Sequence, residues 1–127
     1  MEFFVYGTLT DSAVATAVLD SFEYRGAATL SGLYRVEGTY PTLLPGRSVD
    51  GRILQTDDVA SLDRYEGVDS GLYVRVAIPR EDGRSVETYI GNPAKLAVDE
   101  EWPGTGEFET RVRQYLDTAE VVVHTEQ

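Results

Sequence analysis

Apolar and polar residues alternate in short runs along most of this chain. A period of two marks strands half buried in a sheet. Glu2–Tyr6 is the first such run. Ala27–Val36 is the second, rich in Leu, Thr and Tyr, and Gly32 within it marks an expected β-bulge. Val49–Gln55 is the third. In Tyr73–Pro79, Tyr, Arg, Ala and Pro alternate with Val, Val and Ile. The Glu81-Asp82-Gly83-Arg84 turn then leads into Val86–Gly91, which predicts a hairpin. Val121–His124 is a last short strand.

Three segments change the period to that of a helix. Asp11 is a natural cap for a helix over Ser12–Phe22, with Val14, Val18, Leu19 and Phe22 on one face. Thr56 or Asp57 caps a second over Asp58–Glu66. Glu107–Leu116 forms the third, with Phe108, Val112, Tyr115 and Leu116 on one stripe. Asn92–Gly106, with two prolines and several acidic residues, reads as a long loop covering one end of the fold. Short strands and helices without regular βα repetition predict an α+β fold. The expected architecture is a small, mainly antiparallel β-barrel with peripheral helices, one domain over residues 1–127.

Composition narrows the chemistry. There is no cysteine, so disulfides and thiolate metal sites are excluded. The single histidine, His124, argues against a His-based zinc site or a Ser-His-Asp triad. No metal and no cofactor is expected. No apolar run reaches the length of a membrane span and the first residues lack a basic leader, so a cytoplasmic protein with no membrane partner is expected. The formal net charge of -11 disfavours nucleic acid, whose phosphates are bound by Lys and Arg. Lys95 is the only lysine. An acidic, lysine-poor surface suits a salt-rich, halophilic cytoplasm, where screening weakens self-repulsion; an ordinary acidic protein is the other reading.

Two segments carry candidate chemistry. Phe3-Phe4-Val5-Tyr6-Gly7-Thr8-Leu9 runs from strand through glycine toward a helix, a geometry that exposes backbone N–H groups to an anionic oxygen. A tight turn that binds nothing is the plainer reading. Leu62-Asp63-Arg64-Tyr65-Glu66-Gly67 places Glu66 four residues after Leu62 and seven after Val59, on the buried face of its helix. Burial and the negative end of the helix dipole both raise the pKa of such a carboxyl, as a general base working near neutrality requires. Alternatively Glu66 curls out past Gly67 or pairs with an arginine. Gly38-Thr39-Tyr40-Pro41 is either a rigid pocket wall or a plain loop. Tyrosines placed as Tyr65, Tyr73 and Tyr89 belong more often to core or rim than to ligand contacts.

Taken in order, these segments resemble the gamma-glutamylcyclotransferase-like family, and most closely its gamma-glutamylamine cyclotransferase branch. The matching residues are Phe4-Val5-Tyr6-Gly7-Thr8-Leu9, Tyr40-Pro41-Thr42-Leu43, Pro45-Gly46, Val49-Asp50-Gly51, Leu62–Gly67, Tyr73-Val74-Arg75 and Val86-Glu87-Thr88-Tyr89. The chain departs from the family at Thr10-Asp11-Ser12, where a basic or glycine-containing sequence is expected. The resemblance implies a small barrel with a pocket at one end, a small-molecule gamma-glutamyl substrate, and Glu66 as the catalytic acid/base. It implies substrate contacts from Tyr6, Gly7, Thr8 and Leu9, with Tyr40, Pro41 and Tyr73 beside them. The activity implied is cyclisation of a gamma-glutamyl amide to 5-oxoproline with release of an amine. A non-catalytic module using the same pocket is the alternative, and removal of a gamma-glutamyl protecting group is another. A glycosidase needs two facing carboxylates, and Glu66 has no convincing second partner in the sequence.

Overall fold

In the computed structural model, which describes residues 1–125, the strands are β1 (Glu2–Val5), β2 (Glu23–Val36), β3 (Thr42–Gln55), β4 (Tyr73–Pro79), β5 (Ser85–Gly91) and β6 (Val122–Thr125). The helices are α1 (Ser12–Val18), α2 (Val59–Tyr65) and α3 (Phe108–Thr118), with single 3-10 turns at Thr8–Thr10 and Pro93–Leu96. The strands form one curled sheet in the order β4-β5-β1-β3-β2-β6. Neighbouring strands are antiparallel except β1 and β5, which run parallel with Phe3 opposite Glu87. Just past β4, Arg80 forms a parallel bridge to Val123, which brings the two outer strands together. This is the expected α+β architecture: a mainly antiparallel, half-barrel sheet with helices at its periphery.

The long ribbon β2–β3 exceeds the expected strands at both ends. Its ladder runs from Glu23 opposite Gln55 to Val36 opposite Thr42. Pro45 and Gly46, residue types that usually interrupt a strand, sit within β3. Tyr34 explains this: a Cβ at Gly46 would lie 2.2 Å from the Tyr34 ring, so glycine lets the strand pass beneath an aromatic side chain. The register shifts between Ser31 and Leu33, and Gly32 takes φ +102°, the bulge its position suggests.

The first helix is shorter than its apolar face implies. It ends at Val18, and Leu19 is already extended, because the chain must turn there to enter β2. Phe22 then packs edge-on against Tyr24, with ring centroids 5.3 Å apart. The second helix starts at Val59 with Asp58 in the cap position, and the Thr56 hydroxyl accepts from the Asp58 N–H. The expected caps, Thr56 and Asp57, lie two residues and one residue upstream of the observed one.

Alternation along β1 feeds two cores. Phe4 faces the barrel interior with Leu30, Leu43, Ile53, Val76 and Ile90. Trp102, from the segment expected to cover one end, is buried in this same cluster with Val112 of α3. Phe3 and Val5 face outward and are covered by Ala15 of α1, Leu19 just after it, Leu62 of α2, and Leu96. Leu62 is fully buried and is the residue that seats α2 in the outer core.

Candidate functional site

The end of β1 builds one wall of a cavity. Beyond Val5 the chain enters the 3-10 turn through Tyr6 and Gly7. The Tyr6 ring is buried and its hydroxyl donates to the Tyr89 carbonyl at 2.6 Å. Thr10 folds back so that its N–H and its hydroxyl both donate to the Gly7 carbonyl, at 3.1 and 2.7 Å. Asp11 N–H donates to the Thr8 carbonyl at 3.1 Å. The first N–H groups of a helical turn have no acceptor within it. Those of Gly7, Thr8 and Leu9 find none elsewhere among the described residues.

The end of α2 supplies the opposite wall. Glu66 is the last residue with helical backbone, and Gly67 follows with φ +70°. Gly67 N–H donates to the Arg64 carbonyl at 3.2 Å and Val68 N–H to the Asp63 carbonyl at 3.0 Å. This pair of bonds is a Schellman motif, which satisfies the last carbonyls of the helix and needs a left-handed residue after the cap. It halts the chain at Glu66 with the carboxylate still on the Leu62 side. One residue before the motif's first carbonyl, Leu62 anchors the helix in the core, and at Asp63 the carboxylate accepts from the Tyr89 hydroxyl at 2.6 Å. Arg75 of β4 lies 3.7 Å from Asp63 and 3.9 Å from Glu87, joining helix and sheet on the same side.

Burial pushes the Glu66 carboxyl up to about 7. The cause is loss of hydration on burial. Glu66 makes no side-chain hydrogen bond or ion pair with any described residue, so it does not pair with an arginine. A carboxyl that titrates near neutrality and has an open coordination sphere is suited to taking and returning a proton.

Between these walls lies a cavity of about 350 Å³. Its lining includes Tyr6, Gly7, Thr8, Leu9, Tyr40, Pro41, Glu66 and Tyr73, so the structure brings every candidate site residue to one place. Phe4, Val5, Leu72, Tyr65 and Tyr89 complete it. The volume suits a small metabolite rather than a polymer. Tyr40 and Tyr65 stand at the mouth, 54% and 44% exposed. The Tyr73 hydroxyl donates to the Pro41 carbonyl at 2.5 Å, which holds the Gly38–Pro41 segment in place as a pocket wall. Tyr65 and Thr8 hydroxyls are 2.7 Å apart, a bond across the mouth from α2 to the turn.

A family model for gamma-glutamyl cyclotransferase, AIG2-like proteins matches residues 3–110. The chain belongs to that family. Among solved structures it resembles one titled gamma-glutamyl cyclotransferase, with a TM-score of 0.59 and 18% identity over 94% of this chain and 99% of the other. The human protein loc79017 superposes with a TM-score of 0.60 at 18% identity, covering 92% of this chain and 98% of the other. These two likenesses concern the fold. The Arabidopsis thaliana protein At5g39720.1 has 32% identity over 90% of this chain and 81% of its own length, with a TM-score of 0.56. No curated protein matches the chain by sequence.

In this member of the family the tyrosines carry more of the site than their sequence positions suggest. Five of the eight, Tyr6, Tyr40, Tyr65, Tyr73 and Tyr89, line the cavity. Burial raises the pKa of Tyr6, Tyr73 and Tyr89, so their hydroxyls stay protonated and act as donors. By pattern Tyr65 and Tyr89 read as core or rim rather than ligand contacts, and Asp63 has no role readable from pattern. The one signal available was the tyrosine count itself, set against a single Trp and four Phe. Among the described residues no cluster of His, Cys, Asp or Glu is arranged to hold a metal ion, and no helix is long and apolar enough to cross a membrane.

Proposed function

We propose that this protein cyclises a gamma-glutamyl amide to 5-oxoproline and releases an amine. The observation that carries the reading is Glu66: a carboxyl near pKa 7, without a partner, lining the same cavity as the free N–H groups of the Gly7–Leu9 turn. Family membership supports the same reaction class.

The nucleophile is the substrate's own α-amine, and the electrophile is its γ-carbonyl carbon. Folding the substrate so that these two atoms meet supplies about 7–11 kcal/mol of the barrier, without any nucleophile from the protein. Glu66 takes a proton from the α-ammonium, which frees the lone pair for attack. The new C–N bond closes a five-membered ring, and the γ-carbonyl oxygen gains negative charge. The turn's N–H groups are fixed donors for that oxygen or for the substrate's α-carboxylate. Glu66 returns its proton to the leaving nitrogen, the oxyanion collapses to a carbonyl, the old C–N bond breaks and the amine departs; the second proton of the ring nitrogen passes through Glu66 to the released amine, which leaves the lactam N–H. Tyr40, Pro41 and Tyr73 confine the folded substrate.

The test is an assay of 5-oxoproline release over a panel of gamma-glutamyl amines, gamma-glutamyl amino acids and glutathione. Turnover of at least one compound, lost in Glu66→Gln, is the expected result. A wild type that binds a panel member tightly and turns over none is instead the non-catalytic module.

A further inference from the structure

Each carbonyl from Tyr6 to Thr10 has a donor. Gly7 and Thr8 carbonyls are taken by Thr10 and Asp11, within the turn. Leu9 and Thr10 carbonyls accept from the Tyr24 hydroxyl at 2.6 Å and from Arg52 Nη1 at 3.0 Å, and the Arg52 guanidinium lies over the Tyr24 ring at 3.5 Å. The Tyr6 carbonyl has a single long-range tether: Arg35 Nη1 of β2 donates to it at 2.6 Å. Arg35 does not line the cavity. Its remaining donors grip Glu37, at 2.7 and 3.2 Å.

We propose that Arg35 is a positioning residue that locks the Tyr6–Gly7 peptide with the Gly7 N–H turned toward the substrate. This inference rests on the reading that the turn binds a substrate oxygen. The geometric reason is the planarity of the trans peptide. C=O and N–H of one unit point in opposite directions, so fixing the Tyr6 carbonyl toward Arg35 fixes the Gly7 N–H away from it. The neighbouring units are held by the turn's own bonds. The Tyr6–Gly7 unit is not, and glycine on its C-terminal side makes rotation of that peptide easy. Without Arg35 the carbonyl is free to swing inward, where it would face a carboxylate or an oxyanion with the wrong sign of charge.

The experiment compares Arg35→Met, Arg35→Lys and Glu37→Gln in the full chain. With a gamma-glutamyl amide that the wild type turns over, Arg35→Met is expected to lower kcat/KM by about 10²-fold, the order seen when one oxyanion donor is lost. The rising limb of its pH profile should stay where Glu66 puts it, near 7. Arg35→Lys, which keeps a cationic donor, should recover part of the loss. Glu37→Gln breaks the ion pair but not the tether, and should stay within about twofold of wild type. A second readout is independent of turnover: the Gly7 amide ¹⁵N–¹H shift during titration with 5-oxoproline. Wild type should show a saturable shift at Gly7, and Arg35→Met should not. If Glu37→Gln loses as much as Arg35→Met, or if Arg35→Met keeps both activity and the Gly7 shift, Arg35 has no positioning role. If no gamma-glutamyl amide is turned over while the Gly7 shift behaves as described, the cyclisation reading fails and the Arg35 inference stands.

Discussion

The Tyr89 hydroxyl donates to the Asp63 carboxylate across 2.6 Å, and this bond fastens the helix bearing Glu66 to the strand beneath it. Asp63 lies three residues before Glu66 and does not line the cavity. It therefore offers a way to loosen the base without touching the substrate.

Asp63→Ala removes the acceptor and leaves the Tyr89 hydroxyl and Arg75 without it. A hydrogen bond to a charged group contributes about 1.5–3 kcal/mol, and partial exposure of Asp63 puts this one near the lower end. The expected outcome is a loss of about 1.5 kcal/mol in chemical denaturation and a fall in kcat of roughly tenfold. Asp63→Asn keeps an acceptor and should retain most of both. Equal loss in the two variants would show that the charge, rather than the bond to Tyr89, holds the helix.

Glu66→Gln keeps shape and removes the base. Turnover should fall by at least about 10²–10⁴-fold, the range of general acid–base catalysis, while substrate affinity changes far less. Single-turnover kinetics beside equilibrium binding separates the two. A Gln variant that still releases 5-oxoproline near the wild-type rate would remove the main support for the proposed mechanism.

The same variant is expected to be more stable than wild type, but only above neutrality. Glu66 has a folded pKa of about 7, raised by burial above its ordinary value of 4.5. A raised folded pKa means that the folded state holds the proton more tightly. The contribution is fully present below pH 4.5 and is lost as pH rises through 7. The lost part is at most about 3 kcal/mol. Glutamine escapes that loss. The Tm difference between Glu66→Gln and wild type should thus be near zero at pH 4 and positive at pH 8. For activity the sign is opposite: kcat/KM should rise through pH 7 as Glu66 ionises.

Gly67→Ala tests the Schellman motif. Its φ of +70° is open to glycine and strained for alanine, and an added Cβ would lie 3.2 Å from the Ser70 hydroxyl and 3.3 Å from Leu72. A loss of about 1 kcal/mol is expected, with a drop in kcat because the end of α2 shifts. Unchanged kcat alongside the lost stability would mean that Glu66 is placed by Leu62 alone.

Salt should stabilise the fold. The formal net charge of -11 repels itself at low ionic strength, while ion pairs such as Arg25–Glu23 and Arg113–Glu109 are exposed and contribute little. Screening the repulsion therefore outweighs screening the pairs. The Tm should rise between low and molar salt; a flat response would argue against an adaptation to a saline cytoplasm.

Local chemistry was legible in the sequence, and contacts across the sheet were not. Glu66 falls on the Leu62 face by helical spacing alone, and the strand-to-turn passage at Gly7 follows from a handful of adjacent residues. Gly32 as a bulge is of the same kind. The extension of β3 through Pro45 and Gly46 has no local signal, because the Tyr34 ring beside Gly46 comes from the neighbouring strand. Val18 ends α1 although Leu19 and Phe22 continue its apolar face, because entry into β2 requires extended backbone. Tyr89, Asp63 and Arg35 gain their roles from partners 26 and 29 residues away, which no periodicity encodes.

The strand leading into the cavity turn precedes the other five in sequence but sits in the middle of the sheet. Phe4 meets Thr88 across a separation of 84 residues, and β5 is the last strand needed to flank β1. During synthesis the turn that is to bind substrate thus waits, with one edge of its strand unpaired, until most of the chain has left the ribosome. Such distant pairing is slow, because the chain loses loop entropy before the contact forms. The pocket is therefore among the last parts of the molecule to become competent, and nascent chains stalled before Ser85 should have secondary structure without ligand binding.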